Sequence, residues 1–339
     1  MGLSGGRPET DWQPQRDSLA LTNAPNIVAA LDVGTNTVLL LVVESGADRR
    51  VRALADLSRI TRLGRGVDKS GRFDPQSVAL TLDAISDFVD EARRCGAQRI
   101  LGVATSAVRG AVDGGDFIAR VKQRTGVELA VISGRTEAEL SYLAVMRGLD
   151  LDPASLLLVV DVGGGSTEFI RSEPAREISV ASLDIGSVRL TERLIHHDPP
   201  TAAEEAAIVQ TVDAEIKRLG WDFRPDVTVG IAGTVTTIAA VVLGLRSYEP
   251  GRVHGFRLVR EQVRQMLSRF GSLALAERRK LPGLVEGRAD VIYAGAVVLW
   301  RVMVQFDTPE VVVSDQGVRW GLVWRELGSG HEVGGDDQG

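Results

Sequence analysis

The stretch Leu156–Ile170, LLLVVDVGGGSTEFI, constrains this chain more than any other, because an apolar run ends in an acid, three glycines, two hydroxyls and a second acid. Leu156 to Val160 form the continuous aliphatic run of a strand buried on both faces. Gly163, Gly164 and Gly165 lack the Cβ that would keep backbone N–H groups away from an anion, so the segment reads as strand, phosphate-cradling turn, strand. Ser166 and Thr167 add hydroxyl donors to the cradle. Asp161 and Glu168 flank it, and two hard carboxylates beside a phosphate-sized concavity suit a Mg²⁺ ion shared between protein and phosphate. A glycine hairpin with solvated acids is the competing reading.

Ala29–Leu41, AALDVGTNTVLLL, repeats the design: an apolar approach, Asp-Val-Gly, small polar residues and a return to aliphatics. Its phosphate-binding candidates are Asp32, Gly34, Thr35, Asn36 and Thr37. A third segment, Val229–Ala239 (VGIAGTVTTIA), offers Gly233 and Thr234 in a further glycine and threonine turn behind a hydrophobic strand. One such segment is weak; in this order the set predicts two similarly built halves presenting their turns to one cleft.

On these residues the chain resembles the exopolyphosphatase and guanosine pentaphosphate phosphohydrolase family, within the superfamily of actin, sugar kinases and heat-shock chaperone ATPases. The resemblance runs from about Ile27 to Leu327 and is carried by DVGTNT at Asp32, RLGRGVD from Arg62, ATSAVR from Ala104, SGRTEAELSY from Ser133, DVGGGSTE from Asp161, AGTVTT from Ala232 and GLVEGRADVIYAGA from Gly283. Thr35 and Thr37 stand where the family usually has serine, Asp113 where asparagine is usual and Val235 where alanine is common. The threonines keep the hydroxyls.

The resemblance implies an α/β fold of two actin-like (ribonuclease H-like) lobes, mixed sheets flanked by helices, with the active site in the cleft between them. The expected organisation is an extension over 1–25, a first lobe over 26–140, a second over 141–317, a helix over 318–327 returning to the first lobe, and a tail over 328–339. Both terminal segments are rich in Gly, Pro and polar residues and read as disordered. Longer family members carry further helical domains, so the likeness is to the short two-domain form, which implies distributive action on short chains. It also implies that Glu137, in the segment that carries the family's catalytic glutamate, is the base. Arg109, in ATSAVR, can grip two phosphate oxygens at once.

Composition sets outer limits. At 339 residues and 44% hydrophobic content the chain can fill two medium cores. The one cysteine, Cys95, excludes an intramolecular disulfide and fits a reducing compartment, hence a cytoplasmic expectation with no membrane partner. A net charge of −6 argues against a general nucleic-acid binder, so no DNA is expected and a polyanion must be met locally. Arg59, Arg62, Arg65, Arg109, Arg278, Arg279, Lys280 and Arg288 are the candidates for that positive path. His196, His197, His254 and His331 support no zinc site, since their spacing assembles no ligand set.

The function expected is metal-dependent release of orthophosphate from inorganic polyphosphate, with Mg²⁺ or else Mn²⁺ as cofactor and guanosine pentaphosphate as the alternative substrate. An actin-like ATPase or kinase, and a non-catalytic polyphosphate or alarmone sensor, are the readings of other classes. A homodimer is left open.

Overall fold

The computed structural model describes residues 26–46 and 51–329. The extension expected over 1–25 lies outside the described residues, as do His331 and the rest of the tail from residue 330 on.

Two mixed sheets organise the chain. The first joins β1 (Asn26–Val33), β2 (Thr37–Ser45), β3 (Val51–Ile60), β4 (Arg99–Ala104) and β5 (Leu129–Val131) in the order β3-β2-β1-β4-β5. The second joins β6 (Leu157–Val162), β7 (Thr167–Ser172), β8 (Ser179–Leu183), β9 (Val227–Ile231), β10 (Arg257–Val259) and β11 (Glu310–Val313) in the order β10-β11-β9-β6-β7-β8. Each begins as an antiparallel meander, β1-β2-β3 or β6-β7-β8, and then adds a strand parallel to its first, β4 or β9. The second sheet therefore repeats the topology of the first.

Both β1 and β6 read as unbroken apolar runs because each is covered on both faces. Alternation sends Ala29, Leu31 and Val33 toward Ile85 and Phe88 of the helix Pro75–Arg94, while Val28 and Ala30 face Leu140, Leu322 and Val323. In the second sheet Leu158, Val160 and Val162 join the large core with Ile238 and Leu299, while Val159 faces Ala138 and Val145. The helix Gly134–Gly148 thus gives Leu140 to one core and Ala138 and Val145 to the other. The lobe boundary expected at Ser141 falls in the middle of this shared helix.

Local signals place the helices. Asp74 accepts from the Ser77 N–H at 2.9 Å with Pro75 next in line, starting the helix Pro75–Arg94, and Gly96, at φ 83°, turns the chain after it. Thr201 and Glu204 form the capping box of the helix Ala202–Arg218. The last helix, Val318–Ser329, packs on the first sheet and runs past Leu327 into the segment expected as tail. Its Gly321 is required by proximity: a Cβ there would meet the Leu140 carbonyl oxygen at 2.0 Å. No described helix is long and apolar enough to cross a membrane.

Candidate functional site

The β1–β2 and β6–β7 hairpins close on the same turn. Gly34 N–H donates to Thr37 O at 3.0 Å, and Gly163 N–H donates to Ser166 O at 3.1 Å. In each, the turn carbonyls are held from behind. Thr61 and Arg62 N–H donate to Asn36 O, both at 3.0 Å, and Gly64 N–H donates to Thr35 O at 2.8 Å. In the second lobe Ser187 N–H reaches Gly163 O and Val188 N–H reaches Gly164 O, each at 2.9 Å, while Arg189 Nε donates to Gly165 O at 2.7 Å. With the carbonyls held back, the N–H groups of Thr35, Asn36, Gly164 and Gly165 have no acceptor among the described residues. Such unpaired amides form an anion-binding nest.

The turn tips touch. A Cβ on Gly165 would lie 2.8 Å from Thr35 Oγ1 and 2.6 Å from Ser106 Oγ, and one on Gly164 would lie 3.1 Å from Thr35 Cβ. Glycine at these positions therefore answers a close approach between lobes.

Four buried carboxylates meet beside the turns: Asp32, Glu137, Asp161 and Glu168. Asp161 and Glu168 are direct cross-strand partners in the β6–β7 register. Ser141 Oγ donates to Asp161 Oδ2 at 3.1 Å, and Ser182 Oγ donates to Glu168 Oε1 at 2.7 Å. Arg109 Nη1 donates to Ile132 O at 2.7 Å and to Glu137 Oε2 at 3.3 Å, fixing the glutamate at the first turn of its helix.

Dry surroundings and mutual repulsion oppose ionisation here. Burial, weakly countered by Arg319, pushes the Asp32 carboxyl up to about 6. Burial and the Asp32 charge push Asp161 up to about 7 against the Ser141 hydrogen bond. Burial and the Asp161 charge likewise bring Glu168 to about 7. Glu137 is raised well above the usual carboxylate range by burial first and the Glu168 charge next, with Arg109 opposing.

This donor set fits a hard divalent cation. Asp32 Oδ1 and Glu168 Oε2 are buried without a hydrogen-bond partner, and a cation is what a cluster of partnerless carboxylate oxygens calls for. Among the described residues no three His, Cys, Asp or Glu side chains converge into a closed ligand cage. Mg²⁺ does not need one, since it keeps waters and is completed by substrate phosphates.

Other expected residues have different surroundings. The Thr167 hydroxyl donates to Ile185 O at 2.9 Å and the side chain is fully buried, because inward alternation on β7 turns it into the core. Gly233 and Thr234 lie in no hairpin turn. β9 runs directly into the helix Ala232–Val242 through Ala232 at φ 69°, the Arg288 guanidinium covers Gly233, and Thr234 is buried against Gly295. Nor do the expected arginines form one path. Arg59 pairs with Asp87, Arg62 with Asp290, Arg278 donates to the Ala289 and Leu273 carbonyls, and Arg288 donates to Gly233 O. His254 contacts Gly148 O at 2.9 Å and Asp315 at 3.0 Å, a structural tie between the two chain crossings that join the lobes.

Ser182 and Arg189 belong to the site and had no distinguishing signal, being common residues far from the matched segments; Ser106 and Ser141 lie within ATSAVR and SGRTEAELSY, and only the fold singles them out there.

Comparison with known proteins identifies relatives of one family and fold. The model of the Ppx/GppA phosphatase family matches residues 41–330. Exopolyphosphatase 2 of Mycobacterium tuberculosis is 36% identical over 291 residues, covering 80% of this chain and 88% of that protein. Exopolyphosphatase 1 of Mycobacterium bovis is 31% identical over 307 residues, covering 89% and 88%. The crystal structure of the Aquifex aeolicus Ppx/GppA family member superposes with a TM-score of 0.78 at 30% identity, covering 91% of this chain and all of that one.

Proposed function

The chain belongs to the Ppx/GppA phosphatase family, and from that premise we propose that it is an exopolyphosphatase, hydrolysing the terminal phosphoanhydride bond of inorganic polyphosphate to release orthophosphate. The observation that carries this reading is the meeting of Asp32, Glu137, Asp161 and Glu168 beside two amide-lined turns. A phosphate-binding sensor needs the turns but has no use for a cluster of buried, mutually repelling acids.

Phosphoanhydride hydrolysis requires a positioned phosphoryl group, neutralised charge and a water in line behind phosphorus. The amides of Thr35, Asn36, Gly164 and Gly165, with the Thr35 and Ser166 hydroxyls, hold the non-bridging oxygens. Asp161 and Glu168 would hold Mg²⁺ or Mn²⁺, which when bound neutralises phosphoryl charge. Glu137 orients the attacking water and takes its proton; its raised proton affinity brings it nearer the working pH of a general base. Arg109, already on the Glu137 carboxylate, keeps that base in place and lends a cation to the developing charge. We assign the activity to the cytoplasm, on the ground that the single Cys95 suits a reducing compartment.

The test is phosphate release from short polyphosphate, long polyphosphate, guanosine pentaphosphate and ATP, each with Mg²⁺ and with chelator. Release from polyphosphate that chelator abolishes is expected. Faster release from guanosine pentaphosphate would move the assignment to the alarmone, and turnover confined to ATP with an added acceptor would move it to a kinase.

A further inference from the structure

We infer that Arg189 and Arg193 bind the phosphates that follow the one being cleaved, giving up the Asp68 carboxylate that occupies them in the closed molecule. The inference deepens the polyphosphatase reading and rests on it.

Asp68 belongs to the first lobe, in the short helix Val67–Ser70 after β3, and both arginines belong to the second-lobe helix Ser187–Leu194. Arg189 Nη1 and Arg193 Nε and Nη2 all donate to the one Asp68 carboxylate. A second pair crosses the same gap: Gly66 N–H lies 3.1 Å from each carboxylate oxygen of Glu192. Donors on each side of the gap, two guanidinium forks and a backbone amide, are thus filled by carboxylates of this chain. Carboxylate and phosphate offer a guanidinium fork the same paired oxygens, so these are positions a phosphate can take over.

Their location relative to the turns gives the exchange a direction. A cavity of about 230 Å³ opens between the lobes, lined among others by Thr35, Ser106, Gly165, Asp68, Arg189 and Glu192. It contains residues of both turns and Arg189 together. Arg189 Nε is anchored on Gly165 O at the back of the second turn, and one cavity reaches both. Arg193 follows four residues on, about 6 Å further along the helix axis. The side chain of Arg193 is 47% exposed against 20% for Arg189. The outer arginine is held by Asp68, while the inner one is braced by Gly165 O and Asp184 as well. Asp184 also pairs with Arg189, at 3.1 Å, but Asp68 is the carboxylate that both arginines share, and a long chain, which offers several phosphates, displaces it more readily than a short one and loosens the contact between the lobes.

Binding of tripolyphosphate and of long-chain polyphosphate is measured by calorimetry, beside KM, kcat and Tm, for the wild type, Asp68→Asn and Arg193→Gln. Asp68→Asn keeps the size and removes the competitor. It is expected to tighten long-chain binding and lower its KM by about fivefold, the size of one partly exposed ion pair, with a smaller change for tripolyphosphate. Arg193→Gln is expected to weaken long-chain binding by about the same factor; its exposed side chain keeps this arm usable should Asp68→Asn fold poorly. Long-chain affinity unchanged or weakened in folded Asp68→Asn, or unchanged in Arg193→Gln, overturns the inference while leaving the exopolyphosphatase reading intact. Wild type that binds long polyphosphate without hydrolysing any polyphosphate overturns that reading instead, and the binding arms still decide the role of the arginines.

Discussion

The two hairpins have one backbone and different chemistry. In the first lobe Asp32 pairs across the strands with Leu39, and in the second Asp161 pairs with Glu168. The turn in the first is Gly-Thr-Asn-Thr, rich in side-chain donors; in the second it is Gly-Gly-Gly-Ser, open to backbone approach. Both have their carbonyls tied from behind, by the loop after β3 in one lobe and by the start of the Ser187–Leu194 helix in the other. A repeated scaffold therefore supplies two anion nests, while one cross-strand position decides which lobe carries the second carboxylate. On the proposed reading the first lobe holds phosphate, and the second holds phosphate together with a cation.

The most severe way to break this comparison is Glu168→Leu, which gives the second hairpin the pairing of the first. If the asymmetry places the cation, turnover should drop by at least about 10³, the upper range for one group acting on the transition state, to the level seen in chelator. A variant that keeps its fold by circular dichroism and retains Mg²⁺-dependent turnover would remove Glu168 from the cation site. Glu137 belongs to neither hairpin and provides the next test. Glu137→Gln should lower kcat about 10² to 10⁴ with little change in KM, as for a lost general base. A lowered Tm with near-normal kcat would instead make it structural.

The asymmetry was legible in the sequence because everything that produces it is local. DVGTNTVL and DVGGGSTE align residue for residue, and strand alternation alone places Glu168 beside Asp161. The same alternation hid the fate of Thr167, whose hydroxyl points the other way into the core. The AGTVTT segment has turn-like composition, but β9 enters a helix there with no second strand to form a hairpin. Charge was the least legible. Arg62 and Arg278 find partners on Asp290 and on backbone carbonyls, whereas Arg189 and Arg193, on an unremarked helix, face the cleft. A side chain's sign is written in the sequence, but the element packed opposite it is not.

The serines sharpen the comparison further, since only the second hairpin's carboxylates have them. Ser141 and Ser182 each donate one hydrogen bond, to Asp161 and Glu168 respectively. Groups that orient ligands from behind typically contribute 10–100-fold in metal affinity. Ser182→Ala and Ser141→Ala should therefore raise the Mg²⁺ concentration giving half-maximal rate by about tenfold, with kcat at saturating Mg²⁺ close to wild type. A fall in kcat that added Mg²⁺ does not restore would mean that the hydroxyls act on substrate rather than on the carboxylates.

The smallest effect expected concerns stability. Asp32 titrates near 6 in the fold and Asp161 and Glu168 near 7, all above the ordinary carboxylate range. A carboxyl raised in the folded state binds more protons there than in the unfolded chain, so stability must fall as pH rises from about 4 through 7. Moving one carboxyl from 3.8 to about 6 corresponds to about 3 kcal/mol. The groups repel one another and share that effect rather than adding it in full. In chelator, Tm should therefore drop by roughly 3–5 °C between pH 5 and pH 8, at about 1.4 °C per kcal/mol for a chain of this length. Mg²⁺ should raise Tm more at pH 8 than at pH 5, because a cation needs the ionised carboxylates. Glu168→Leu removes one charge from the second lobe and leaves Asp32 with its own burial, so its slope should be shallower but not flat. A chelated wild type whose Tm is level or rising across that range would show that the four acids do not share one dry cluster, and the contrast between the lobes would then rest on the turns alone.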